Sequence, residues 1–196
     1  MMKIKNGFTL VEIAIVLIII GLFMGTVLKG TELITNAKIK NIENNYSSIA
    51  RAITIYRENY HKLPGDDDGA NRFDSTLKVG NGNGIIGGDF DSTNNNDESR
   101  LLWLHLRSAN LVERIPVDLH QQPQNAFGGL IGISSDSSAN GAKCSMTLFV
   151  GFTKIPENIA VILDSSSDDE IADTGRICSN KSNYTGNVEH KLYFSL

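Results

Sequence analysis

The feature that most constrains this chain of 196 residues is an apolar run close to its start. From Phe8 to Leu28 the only charged side chain is Glu12. A helix rises about 1.5 Å per residue, so a helix of this length reaches about 30 Å, which is the thickness of the hydrocarbon core of a bilayer. The sequence therefore predicts a membrane-spanning helix over residues 8–28.

The residues that precede this run set its orientation. Lys3 and Lys5 lie ahead of it, and lysines beside an apolar span tend to stay in the cytoplasm. An ordinary signal peptide would have a shorter apolar core followed by small residues at a cleavage site, and residues 26–30 do not fit that pattern. We expect a cytoplasmic N-terminus, with the chain after residue 28 on the other side of the membrane.

Glu12 is unusual because a carboxylate within hydrocarbon costs about 2.5–3.5 kcal/mol on insertion scales and is rarely found there without a partner. One interpretation is that Glu12 lies near the lipid headgroups and has no role. The other is that it pairs with a cation. Cleavage after Gly7 would give Phe8 a free amine, either one helical turn from Glu12 or beside the Glu12 of a neighbouring helix.

The motif Gly7–Glu12, after a short basic leader, resembles the start of the type IV pilin superfamily, which includes pilins, minor pilins and the pseudopilins of type II secretion. The resemblance implies that a prepilin peptidase cleaves after Gly7 and methylates the amine of Phe8. It implies that Glu12 pairs with the Phe8 amine of the adjacent subunit during filament assembly. The implied partners are other pilin subunits and the inner-membrane assembly machinery.

The resemblance also implies an α+β fold, in which a long N-terminal helix packs on a small antiparallel β-sheet. The chain is predicted to divide into a leader at 1–7, a long helix at 8–62 and a globular domain at 63–196 in the periplasm or outside the cell. The expected location is the inner membrane, crossed once, and then a filament at the cell surface.

The second half of the long helix carries an apolar stripe at spacings of three and four residues, which is typical of one buried helix face. The stripe consists of Ile39, Ile42, Tyr46, Ile49, Ile53, Tyr56 and Tyr60. Because Leu63 precedes Pro64 and Gly65, the helix is expected to end by about residue 61.

The rest of the chain is predicted to contain one helix and several strands. The expected order is a long loop to residue 97, a helix capped by Asn96 or Asp97 and ending near 110, a mostly irregular segment at 111–142, strands at 144–152 and 159–163, a turn at 164–169, a weaker strand at 171–178 and a last strand at 191–196. Strands that follow one another closely favour an antiparallel sheet.

The two cysteines, Cys144 and Cys178, fall in the exported part, where disulfides persist. Two cysteines alone cannot form a structural zinc site. We expect a disulfide, with two separate buried thiols as the alternative, and the resemblance agrees because many pilins have one disulfide in this region.

The charge is divided unevenly along the chain. Residues 1–60 carry seven Lys or Arg and four Asp or Glu, whereas residues 61–196 carry eleven and eighteen. An acidic exported domain repels phosphate backbones, so general nucleic-acid binding is disfavoured.

Nothing in the sequence supports an enzyme. The four histidines stand at no metal-ligand spacing, and there is neither a nucleophile motif nor a phosphate-binding loop. No cofactor is expected, with one exception. Asp66, Asp68, Asp89 and Asp91 can supply the oxygen ligands that calcium prefers, although they do not follow the EF-hand pattern, and the alternative is a solvated acidic turn.

Two classes of function follow. The first is a structural filament subunit, either a pilin or a minor pilin, with a type II secretion pseudopilin as the alternative. The second is a binding module at a filament tip, an adhesin or a DNA-uptake minor pilin, which would use the loops at 66–97 and 111–142.

Overall fold

The computed structural model describes residues 7–113, 118–186 and 188–196, and these divide into two compact units. The N-terminal unit ends at Lys38, and the C-terminal unit is Ile39–Leu196. The elements are α1 (Leu10–Tyr60), α2 (Glu98–Ser108), β1 (Ile131–Ser135), β2 (Leu148–Pro156), α3 (Glu157–Ser167), β3 (Ile177–Ser179) and β4 (Glu189–Ser195). A long helix with a small antiparallel sheet makes the fold α+β, as predicted.

In the N-terminal unit the described large apolar side chains of α1 are exposed. Among the described residues, α1 is the helix that is long and apolar enough to cross a membrane, judged by length and composition. A signal sequence near an N-terminus would pass the same test, so the assignment needs the motif described below. The predicted leader at 1–7 lies outside the described residues except for Gly7.

The predicted stripe on α1 is confirmed from Ile39 onward. Its members either lie in the core of the C-terminal unit or pack against it: Ile39, Ile42, Ile49, Ile53 and Tyr56 are buried, and Tyr46 and Tyr60 are partly buried. The C-terminal unit thus includes α1 from residue 39 onward. The predicted division of the chain at 62/63 stays a prediction.

The sheet has four antiparallel strands in the order β1-β2-β4-β3. Alternation along the strands separates two apolar clusters. Val150 and Phe152 belong to the cluster that contains the α1 stripe, whereas Phe149 and Tyr193 pack with Phe90 in a second cluster. Both faces of the sheet are therefore covered by other parts of the C-terminal unit.

Loops also pair with the outer strands of the sheet. On β1, the Ser135 N–H donates to the Ile86 carbonyl at 3.1 Å. On β3, the Ile177 N–H donates to an oxygen of Asp168 at 2.7 Å. These bonds satisfy edge groups that would otherwise be open to strand addition from another chain.

The strand predicted at 159–163 and the turn at 164–169 are wrong, because α3 occupies Glu157–Ser167. The buried positions of α3 are Ile159, Ala160, Leu163 and Asp164, which is the spacing of a helix face rather than of a strand. A short apolar run rich in β-branched residues has the same composition in either structure, and tertiary packing decides between them.

The other strands differ from the predictions mainly in position. Strand β1 lies inside the segment 111–142, which was expected to be mostly irregular. Strand β2 starts at Leu148 and continues to Pro156, β3 is reduced to Ile177–Ser179, and β4 matches the predicted last strand closely. Strand β1 is not recognisable from the sequence because Gly132 interrupts its alternating pattern. A glycine is required at this position, since a Cβ atom would collide with the carbonyl of Phe90.

The C-terminal end of α1 is tied to the following loop by the buried carboxylate of Asp67. It accepts hydrogen bonds from the Tyr56 hydroxyl at 2.6 Å and the Gly69 N–H at 2.8 Å, and it pairs with Arg72 at 2.6 Å. Burial opposes the charge on Asp67, but the hydrogen bonds from Arg72, Tyr56 and Gly69 outweigh it and leave the pKa below its usual value. The helix itself ends at Tyr60, and the next residue, His61, has a left-handed φ of 56°.

Candidate functional site at the start of helix α1

Thr9 and Glu12 fix the first turn of α1 through a capping box. One carboxylate oxygen of Glu12, Oε2, accepts the Thr9 N–H at 2.8 Å and the Thr9 hydroxyl at 2.7 Å. The Thr9 hydroxyl oxygen in turn accepts the Glu12 N–H at 3.2 Å. A threonine followed three residues later by a glutamate, at the point where a helix begins, is the sequence form of this motif.

The second carboxylate oxygen of Glu12, Oε1, takes no part in the capping box. All hydrogen bonds to the Glu12 carboxylate go to Oε2, and within the described residues nothing donates to Oε1. The side chain is therefore held in one orientation by Thr9 while one oxygen remains able to accept a bond from outside the helix. A carboxylate oxygen of this kind accepts charge-assisted bonds from an ammonium group.

The surroundings of Glu12 are apolar and open. Phe8 is 84% exposed and Leu10 is 87% exposed, and Val11 and Ile13 are exposed as well. Exposure of so many apolar side chains to water would be unfavourable. The arrangement suits lipid or the apolar surface of another helix, where an unpaired carboxylate would be costly and a cationic partner would be favoured.

The predicted cleavage point lies just ahead of the helix. Gly7, Phe8 and Thr9 are outside α1, and all three are exposed. Apart from its chain neighbours, no described residue has an atom within 4 Å of the position that a Cβ on Gly7 would occupy. Gly7, Phe8 and Glu12 thus lie within one short segment, and the residues on both sides of the Gly7–Phe8 peptide bond are exposed.

Cys144 and Cys178, in the C-terminal unit, form a disulfide, which is the pairing predicted from the sequence. It connects the segment that follows β1 to strand β3. Lys143, next to Cys144, donates its N–H to the Ser179 carbonyl at 3.0 Å, so the two chain segments are also joined by the backbone.

The four aspartates considered for calcium do not form a group. Asp68 pairs with Lys62 at 3.0 Å, and Asp91 pairs with Lys191 at 2.6 Å.

The remaining two are engaged differently. Both oxygens of Asp66 accept backbone N–H groups, and the carbonyl of Asp89 accepts the Ser99 hydroxyl at 2.8 Å. Calcium binding by these residues stays a prediction.

A different carboxylate group was missed by the sequence reasoning. Within the described residues, Asp164, Asp168 and Asp169 each place an oxygen within 4.8 Å of the others. Burial raises the pKa of Asp164 against opposing hydrogen bonds from Tyr184 and Glu170, and the neighbouring carboxylates raise it further. Each of the three also accepts local hydrogen bonds, as Asp164 does from the Tyr184 hydroxyl at 2.6 Å.

The buried histidines have structural contacts. His105 accepts the Gly65 N–H at Nδ1 (2.9 Å) and faces the Lys78 carbonyl with Nε2 (2.9 Å), so it is a neutral ring with its proton on Nε2. Burial lowers its pKa. Nδ1 of His190 lies 2.8 Å from the Ser179 hydroxyl. His105 therefore connects α2 to the loops that contain Gly65 and Lys78, and His190 connects β4 to β3.

Comparison with known proteins identifies the start of the chain. Residues 2–28 match the family model of the prokaryotic N-terminal methylation motif. This motif is the hallmark of the prepilin-type leader of type IV pilins and pseudopilins. No curated protein and no solved structure matches the chain.

The chain is therefore a protein with a prepilin-type N-terminus. The motif implies processing by a prepilin peptidase and assembly with other pilin subunits. Together with the apolar first half of α1, it fits anchoring in a membrane.

Proposed function

We propose that this protein is a structural subunit of a type IV pilus-like filament, a pilin or a minor pilin, and that it has no enzymatic activity. The observation that carries the proposal is the coincidence of three features in one segment. The methylation motif covers residues 2–28, the described large apolar side chains of that segment are exposed, and one oxygen of its single acid, Glu12, has no donor among the described residues.

The first step is processing. Cleavage of the exposed Gly7–Phe8 bond removes the leader and converts the Phe8 nitrogen from a peptide N–H into an amine. Methylation keeps this nitrogen basic, so it carries a positive charge at neutral pH. The positive charge lies at the N-terminal end of α1, where it opposes the helix dipole and gains from a nearby carboxylate.

The second step is storage in the inner membrane. The apolar residues from Phe8 to Leu28 span the bilayer, with the N-terminus in the cytoplasm and the C-terminal unit on the far side. The exported side is oxidising enough for the Cys144–Cys178 disulfide to persist.

The third step is docking. Glu12 keeps Oε2 in the capping box with Thr9 and accepts the Phe8 amine of an adjacent subunit at Oε1. The bond pairs the Glu12 carboxylate with the Phe8 ammonium group, so that neither charge remains unpaired in hydrocarbon. This pairing favours one register between neighbouring helices. Assembly machinery in the inner membrane then extracts the paired subunits into a fibre.

The experiment compares two neutral variants at Glu12 with a matched control. Glu12→Ala and Glu12→Gln remove the charge, and Glu32→Ala removes the carboxylate that pairs with Lys29 at 2.7 Å in the same unit. For each variant the mature terminus is read by mass spectrometry and the fraction of the protein in sheared filaments is measured.

We expect both Glu12 variants to be cleaved normally and to be lost from filaments, with Glu32→Ala incorporated like the wild type. Wild-type incorporation of Glu12→Gln would contradict the docking role. Recovery of the protein only in short periplasmic fibres of a secreting cell, and never at the cell surface, would replace the pilus with a type II secretion pseudopilus.

A further inference from the structure

A loop of the C-terminal unit contains the sequence Gly80-Asn81-Gly82-Asn83-Gly84, with two consecutive Asn–Gly pairs. Asn–Gly is the dipeptide most prone to spontaneous deamidation, because a glycine offers no side chain to hinder attack by its own nitrogen. A protein that remains outside the cell cannot be replaced quickly, so the chemical lifetime of this loop matters.

The reaction has two balanced steps. The glycine nitrogen loses its proton and attacks Cγ of the preceding asparagine, a new N–C bond forms, and the side-chain nitrogen leaves as ammonia. Water then opens the resulting succinimide and leaves either aspartate or isoaspartate. The reaction needs a glycine nitrogen that can lose its proton and approach Cγ.

Both asparagine side chains already fold back over the peptide that follows them. Oδ1 of Asn81 accepts the Asn83 N–H at 3.0 Å, and Oδ1 of Asn83 accepts the Ile85 N–H at 2.8 Å. Each bond closes an Asx turn, in which the side chain spans the intervening residue. Each asparagine side chain is thus fixed in one orientation beside the glycine that follows it.

Both glycine nitrogens are engaged by one residue, Asp66, which is only 2% exposed. The Gly84 N–H donates to the Asp66 carboxylate at 2.7 Å, and the Gly82 N–H donates to the Asp66 backbone carbonyl at 2.8 Å. The other carboxylate oxygen of Asp66 accepts the Asn83 N–H at 2.9 Å.

We propose that the carboxylate of Asp66 protects the Asn83–Gly84 peptide from succinimide formation, and that loss of this contact opens a one-way modification site at Asn83. A bond to an anion retains the N–H proton, which the nitrogen must lose before it can attack Cγ. Conversion of Asn83 would place a second carboxylate next to Asp66. The repulsion between the two carboxylates then prevents the loop from returning to its original conformation.

The two pairs differ in a way that makes the proposal testable. Asn83 depends on the side chain of Asp66, whereas Asn81 depends on its backbone carbonyl, which every substitution keeps. Asn140 is a further Asn–Gly site of the C-terminal unit, whose Gly141 N–H donates to the Ser138 carbonyl at 3.0 Å.

The experiment uses the full chain in detergent and compares wild type, Asp66→Ala and Asp68→Ala. Asp68 is the neighbouring carboxylate, paired with Lys62, and serves as the matched control. After incubation in warm, mildly alkaline buffer, peptide mapping by mass spectrometry measures aspartate and isoaspartate at positions 81, 83 and 140. Circular dichroism confirms that the variants are folded.

We expect Asp66→Ala to deamidate at Asn83 about tenfold faster than wild type, because a hydrogen bond to a charged group is worth at least that factor. Asn81, Asn140 and the Asp68→Ala variant should change little. An unchanged rate at Asn83, or equal acceleration at Asn81 and Asn83, would overturn the proposal.

A second measurement needs no variant. The proposal requires that the Gly84 amide of the wild type exchange its hydrogen slowly, although the loop around it is exposed. Fast exchange at Gly84 would contradict the proposal even if Asp66→Ala failed to fold.

Discussion

Thr9 and Glu12 hold the first turn of α1 together through a single carboxylate oxygen, with the Thr9 N–H at 2.8 Å and the Thr9 hydroxyl at 2.7 Å from Oε2. Glu12, whose charge is costly in hydrocarbon, therefore has a structural role within its own helix. That role does not use its other oxygen, so capping and docking are compatible in one side chain.

The first prediction concerns Thr9. Thr9→Val keeps the shape of the side chain but removes its hydroxyl, so we expect the helix start to lose about 1 kcal/mol of stability. Glu12 would then adopt several orientations, and incorporation into filaments should fall, though less than in Glu12→Ala. Thr9→Ser is the control and should behave like the wild type, since serine caps equally well. Equal incorporation of Thr9→Val and Thr9→Ser would show that the cap plays no part in assembly.

The second prediction concerns the disulfide. Cys144 and Cys178 are separated by 34 positions in the chain. In the chain-entropy model, a loop of about this length contributes roughly 3–4 kcal/mol to stability. We expect the Cys144→Ser/Cys178→Ser double variant to unfold at a clearly lower temperature, as measured by circular dichroism of the full chain in detergent. A reducing agent should lower the unfolding temperature of the wild type and leave that of the double variant unchanged; a wild type unaffected by full reduction would contradict the assignment.

The third prediction concerns pH. Burial lowers the pKa of His105 in the folded state, below its ordinary value of 6.5. The unfolded chain then binds a proton more readily than the folded one, so stability rises with pH in this range. We expect the C-terminal unit to lose stability as the pH falls from 6.5 toward the folded-state pKa of His105.

The check is a set of urea titrations at several pH values. His190, whose pKa burial also lowers, adds a dependence of the same sign. His105→Gln should therefore reduce the slope of stability against pH in mildly acidic buffer without abolishing it. An identical slope for wild type and His105→Gln would refute this account of His105.

Some features of the fold could be predicted because their signal is periodic. The stripe from Ile39 to Tyr60 repeats over several helical turns, and all its members pack in or against the core. The motif at Gly7–Glu12 could likewise be recognised, because its residues are consecutive and a carboxylate within an apolar run is rare.

Other features depend on packing that a local pattern does not contain. Residues 159–163 have a composition that suits a strand, and only the burial of Ile159 and Leu163 on one face identifies α3. That error also concealed the carboxylate group, because Asp164 and Asp168 are neighbours when the chain up to residue 167 is helical and not when it is extended. The role of Asp66 depends on contacts with residues 83 and 84, which no spacing reveals.

The most direct test of the central claim is the mass of the N-terminal peptide of the protein purified from its own membrane. The account predicts a terminus at Phe8, with one methyl group on its nitrogen. An intact leader, or a mature terminus at any other residue, would contradict the account, because no Phe8 amine would then be available to pair with Glu12 of an adjacent subunit.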